Sequence, residues 1–148
     1  MAVQPEFREL LALFNAHGVE YMIVGGYALA FHGAPRFTGD LDILVRPTPE
    51  NAQHILRALA EFGFASSGLT TSDFERPEQV VQLGVPPVRI ALITSLTGVS
   101  WEEALAGSTA GPYADLAVYY IGREQFITNK RATGRKRDEA DLEALGEA

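Results

Sequence analysis

The chain changes hydrophobic period several times, and the changes mark its elements. Residues 5–16 carry Phe7, Leu10, Leu11 and Phe14 at helical spacing. The apolar run Tyr21-Met22-Ile23-Val24 follows as a strand, and Gly25-Gly26 closes it and leads into a short helix over 27–32. A loop over 33–39 carries Pro35, Arg36 and Thr38, and strand 40–45 then opens with two carboxylates on alternate positions of an apolar run. Thr48-Pro49 is an N-cap with proline at the first helical position, and it opens a helix to residue 62 whose stripe is Ile55, Leu56, Leu59 and Phe62. Gly63 and Gly68 mark a turn region. Residues 79–83 and 88–96 predict two strands about a turn over 84–87.

Ser100 and Glu103 form a capping-box pattern that starts a short helix over 101–105. Residues 116–121, rich in β-branched and aromatic side chains, predict a further strand. From Arg123 onward the pattern is helical, broken at Gly134, with a second helix to about 145. The expected architecture is one α/β (α+β) domain over residues 1–148, a small mixed β-sheet with helices mainly on one face. The stretches 66–78 and 106–115 are expected as loops.

The chain has no cysteine, which excludes disulfides and thiolate metal sites and makes a cytoplasmic location the simplest expectation. No apolar run approaches the roughly 20 residues that span a bilayer, so no membrane partner is expected. The net charge of −7 argues against a wrapped nucleic-acid duplex. Lys130, Arg131, Arg135, Lys136 and Arg137 nevertheless form a local basic stretch, suited to a small phosphate ligand or to one end of a nucleic acid.

The chemistry concentrates at Asp40 and Asp42. Alternation puts both carboxylates on one face of strand 40–45, with Leu41, Ile43 and Val45 on the other. Two like charges so placed call for a cation or a proton between them. Mg²⁺ takes oxygen ligands and commonly binds through one or two carboxylates plus substrate phosphates. A glycine turn with backbone N–H groups able to face phosphate lies just upstream at Gly25 and Gly26. Alone, a DxD pair fits equally a turn carboxylate followed by a solvent-facing one. His17, His32 and His54 lack ligand spacing and are read as structural.

Val24-Gly25-Gly26-Tyr27-Ala28, then Arg36-x-Thr38-x-Asp40-Leu41-Asp42-Ile43, resembles the signature of minimal nucleotidyltransferases of the DNA polymerase β-like superfamily. Gly26 stands where that superfamily usually has serine, a variant similar to its abortive-infection and toxin-type branch. Lys130-x-Ala132-x-x-Arg135-x-x-Asp138-x-x-Asp141-Leu142 resembles the C-terminal motif of the same branch. The resemblance implies a polymerase β-like fold and transfer of a nucleoside monophosphate from an NTP to an acceptor hydroxyl. Asp40 and Asp42 would be catalytic and hold Mg²⁺ or Mn²⁺. Gly25, Gly26, Tyr27, Arg36, Thr38, Lys130, Arg135 and Asp138 would serve the nucleotide, Lys130 and Arg135 at its phosphates and Asp138 by orienting them.

The acceptor stays open among a small molecule such as an antibiotic, a tRNA end and a protein hydroxyl, and an antitoxin partner is a further implication. One departure stands out. The family places a third carboxylate on a later strand, and Ala91 occupies that position, on a face shared with Arg89 and Ile93. A second reading follows: a catalytically degenerate module that binds a nucleotide or a partner, as in one half of a toxin–antitoxin pair.

Overall fold

The structure is a computed structural model that describes residues 4–35, 39–85 and 88–147. Its elements run α1 (Pro5–Ala16), β1 (Tyr21–Val24), α2 (Gly25–Phe31), β2 (Asp40–Val45), α3 (Pro49–Leu59), β3 (Val80–Val85), β4 (Val88–Ile93), α4 (Trp101–Gly107), β5 (Thr109–Tyr113), β6 (Leu116–Tyr120), α5 (Arg123–Thr133) and α6 (Lys136–Ala144). Among the described residues the strands form one mixed sheet in the order β3-β4-β2-β1-β6-β5. The β2–β4 and β1–β6 pairs are parallel, whereas β1–β2, β3–β4 and β5–β6 are antiparallel. The mixed α/β architecture agrees with the expectation from the sequence.

Local chemistry accounts for the element ends. Thr48 accepts a hydrogen bond from the Asn51 amide at the head of α3, and Ser100 does the same for the Glu103 amide at the head of α4. The helix begun at Pro49 ends at Leu59, continues as a π-helical turn over Ala60–Phe64, and breaks at Gly63 with φ of 110°. Phe7, Leu10, Leu11 and Phe14 of α1 are fully buried together with Met22, Ile23, Leu41, Ile43, Ile55 and Phe126. The hydrophobic stripes that define the helices therefore also build the core.

The segment 106–115 corrects a sequence expectation, since half of it is strand β5 and its first two residues end α4, rather than loop. β5 is an edge strand joined to β6 by a two-residue turn, with Tyr113 opposite Leu116. Pro112, which cannot donate to a ladder, is tolerated at such an edge. At Gly111 a side chain would run into the Phe31 ring, which stacks on Tyr120 with centroids 4.1 Å apart. The segment 66–78 holds a single 3₁₀ turn, Thr71–Asp73. No helix among the described residues is long and apolar enough to cross a membrane.

Candidate functional site

The site is built where three strands meet. Antiparallel pairing of β1 with β2 sets Val24 opposite Asp42, so the first residues of α2 emerge beside the carboxylate. Parallel pairing of β2 with β4 sets Asp40 beside Arg89 and Asp42 beside Ala91. Side chains alternate along strands, so Asp40, Asp42, Arg89 and Ala91 share one face. The sequence placed Ala91 on that face, and the register now makes it the direct neighbour of Asp42.

Gly25 answers to two constraints at once. Its φ is +67°, the left-handed region that glycine enters without penalty, and a Cβ there would overlap the Asp42 carboxylate. The absence of a side chain thus lets the head of α2 close directly onto Asp42. The first amides of a helix have no carbonyl partner within it, so the N–H groups of this turn are of the kind that can face an anionic group. Gly26 follows and is buried.

Asp40 is paired across the ladder. Arg89 Nη2 donates to Asp40 Oδ2 at 2.7 Å, and the two side chains keep 32% and 35% of their exposure. The hydrogen bond to Asp40, and then its charge, raise the Arg89 guanidinium above its ordinary range, and Asp42 contributes in the same direction. Both carboxylates therefore act electrostatically on Arg89. Alternation in the sequence put Arg89 on this face, but its pairing with Asp40 joins residues 49 apart and needs the β2–β4 register.

Asp40 and Asp42 are the side chains here that could hold a metal. Among the described residues no three metal-ligating side chains form a cluster. A divalent ion at this face would therefore complete its coordination with waters and ligand phosphates, which is the habit of Mg²⁺. Arg36 and Thr38, the other expected nucleotide contacts, lie outside the described residues.

Three further expectations meet a different environment. Tyr27 is 7% exposed, its ring edge-on to Phe7 and Tyr113, and burial and then Tyr113 push its hydroxyl up to about 12. Its ring is a core group, not a stacking surface for a base. Lys130 is 8% exposed, and its ammonium is held by Asp138 Oδ1 at 3.1 Å and Asp141 Oδ2 at 3.3 Å. It is not the open point charge expected for a phosphate.

Arg135 lies half-exposed and donates through Nε and Nη2 to Asp138, which also accepts from the Thr133 hydroxyl and the Arg135 amide. Burial alone would raise the Asp138 carboxyl, but hydrogen bonds from Arg135, Thr133 and Lys130 hold it well below the usual carboxylate range. These residues fasten α5 to α6. Next to Lys130, Asn129 donates to the Thr97 carbonyl, and Ala132 lies against Gly98. Thr97 and Gly98 follow the C-terminal end of β4, while Asp40 opens β2. Because β2 and β4 are parallel, the Lys130 cluster lies toward the opposite end of the sheet from Asp40.

By sequence, no protein family and no curated protein matches the chain. By structure it is similar to a candidate nucleotidyltransferase of Thermotoga maritima, with a TM-score of 0.65 and 15% identity over 99% of this chain and 97% of that one. It is similar also to the lincosamide antibiotic adenylyltransferase LnuA in its lincomycin-bound form, with a TM-score of 0.57 and 14% identity over 99% and 98% of the two chains. An antigenic nucleotidyltransferase-like protein from Paracoccidioides brasiliensis gives a TM-score of 0.55 and 17% identity, covering 96% of this chain and 73% of that one. At such identities the likeness is one of fold. The chain has the fold of nucleotidyltransferases.

Proposed function

We propose that this protein is a metal-dependent nucleotidyltransferase that moves a nucleoside monophosphate from an NTP to an acceptor hydroxyl. The observation that carries this reading is the Asp42 carboxylate seated against Gly25 at the head of α2, with Asp40 on the same face. It puts acidic oxygens for a cation next to the first backbone amides of a helix, groups able to face phosphate, in a fold shared with nucleotidyltransferases. The two carboxylates fit a nucleotide-borne Mg²⁺ or Mn²⁺, which when bound would supply charge neutralisation at the triphosphate.

In the reaction the acceptor oxygen bonds to the α-phosphorus, and the bond to the β-phosphate oxygen breaks. Pyrophosphate leaves with the electron pair, and the acceptor proton passes to solvent or to a carboxylate of the site. Such transfer is mostly positioning and charge stabilisation, which this chain supplies with the Gly25-Gly26 turn and the paired carboxylates. The LnuA likeness, to an enzyme named for an antibiotic substrate, favours a small-molecule acceptor over a tRNA end or a protein hydroxyl. An antitoxin partner rests on the sequence resemblance of the C-terminal motif.

Calorimetric titration with each Mg·NTP tests the reading. Asp40→Asn with Asp42→Asn keeps shape and removes charge, so affinity is expected to fall at least tenfold, about 1.4 kcal/mol. Equal affinity in wild type and double variant, or with and without metal, refutes it.

A degenerate binding module is the second reading, and Ala91 beside Asp42 favours it. Such a module would bind Mg·NTP through the same carboxylates yet transfer no label from any NTP to a small-molecule library, total RNA or cell extract.

A further inference from the structure

The strand register places a basic side chain beside the carboxylate pair, with Arg89 paired to Asp40. Arg89 is anchored from both sides, since β4 pairs with β2 and with β3 at this position. Opposite it on β3 stands Gly84, with φ of +78°, where a Cβ would crowd the Val88 carbonyl. The close approach of Gly84 to Val88 and the two-sided pairing of β4 thus fix the strand position from which Arg89 reaches Asp40. The pair is a third exposed on each side, so solvent and ligands have access to it. Its neighbour on the same face, Ala91, offers no ligand beside Asp42.

We infer that Arg89 is a resident cation of this site: it pairs with Asp40 in the absence of nucleotide and turns to the α-phosphate when a metal–nucleotide takes that carboxylate. The inference rests on the nucleotidyltransferase reading and deepens it. A guanidinium matches carboxylate and phosphate geometry equally well, so moving from one to the other sacrifices little bonding. Asp40 cannot serve a divalent ion and a guanidinium at full strength together, so the two compete for it. Once released, Arg89 lies beside the reacting phosphoryl group and stabilises the charge that gathers on its oxygens. With alanine at position 91, the chain has a fixed cation on this face in place of a further metal ligand. Arg89 keeps its proton throughout, and the bonds made and broken are those of the transfer already described.

The test compares wild type with Arg89→Gln, Arg89→Lys and Arg89→Gln combined with Asp40→Asn. Mn²⁺ alone is titrated first, then ATP, GTP, CTP and UTP at saturating Mn²⁺. Arg89→Gln is expected to bind Mn²⁺ alone at least tenfold more tightly, because the guanidinium no longer competes with the ion for Asp40. In the Asp40→Asn background the change at 89 should raise Mn²⁺ affinity much less, since only the weaker coupling to Asp42 remains. At saturating Mn²⁺, Arg89→Gln should bind the preferred triphosphate at least tenfold more weakly, with the nucleoside unaffected. Arg89→Lys, which keeps the charge and guards against loss of fold, should fall between.

Unchanged Mn²⁺ and triphosphate affinities in Arg89→Gln would overturn the inference. The nucleotidyltransferase reading would still stand if Asp40→Asn with Asp42→Asn loses the nucleotide. Failure of wild type to bind any Mn·NTP would remove both.

Discussion

At the scale of single residues, Gly25 shows how one position can be set by two independent constraints. Gly18 has nearly the same backbone conformation, φ +68° against +67°, but nothing within 4 Å of its would-be Cβ. Gly18→Ala therefore isolates the penalty of a left-handed non-glycine residue, about 1–2 kcal/mol. Gly25→Ala should exceed that penalty, because the new methyl must displace the Asp42 carboxylate, and it should also weaken Mn·NTP binding. Denaturant unfolding of both variants, with nucleotide titration of each, checks the difference. Equal stability losses with intact nucleotide binding would show that the Asp42 contact is not part of the site.

At the scale of elements, the cluster at Lys130 fastens one helix to the next. Removing one partner of a buried, hydrogen-bonded charge group leaves the others uncompensated, a loss of about 3 kcal/mol or more. Lys130→Met is therefore expected to destabilise the fold by about that amount while leaving NTP affinity near the wild-type value. Asp138 adds a pH signature. Its folded carboxyl is depressed relative to the unfolded chain, where it titrates near about 3.9. The stability it contributes is thus fully present above that pH and is lost as pH falls through the lower folded value. Thermal melts of wild type and Asp138→Asn should differ by a constant amount from pH 7 to 5, and the gap should close below about pH 4. A gap that instead widens in acid would mean that the Asp138 carboxyl is not held ionised by its partners.

Elements with their own strong period were legible in the sequence, and those defined by a neighbour were not. α1, β1 and β2 span the residues their patterns mark, because periodicity, glycines and prolines are local signals. β5 carries Gly111 and Pro112 and becomes a strand only because β6 pairs with it and Phe31 packs over Gly111. The site divides the same way. Asp40, Asp42 and Gly25 could be picked out along the chain, whereas the Asp42–Gly25 packing and the Arg89–Asp40 pair depend on strand register. The environment of Lys130 was hidden for the same reason, since a basic stretch reads as open to phosphate until α6 brings Asp138 and Asp141 onto it.

At the scale of the whole molecule, a domain of net charge −7 with two carboxylates on one sheet face is expected, on the proposed reading, to couple its stability to bound cations. Ala91 lets that linkage be read. It lies beside Asp42 and shares a face with Asp40 and Arg89, so Ala91→Asp would put a third carboxylate on that face. Without metal the added charge is repelled by Asp42, with Arg89 offsetting part of the effect, and a loss of about 1–2 kcal/mol is expected. In a chain of this size that lowers Tm by roughly 3–8 °C. Mg²⁺ should restore the loss, since three carboxylates hold a divalent ion better than two, and wild type should respond to the same Mg²⁺ much less. If the reaction is limited by the missing ligand, label transfer from NTP should rise on the order of 10²-fold or more. Melts with and without Mg²⁺, run beside the transfer assay, separate the outcomes. Restored stability with no gain in transfer would favour the degenerate binding module. Neither effect would mean that position 91 lies outside the metal's reach, and the carboxylate pair would then have to act with Arg89 alone.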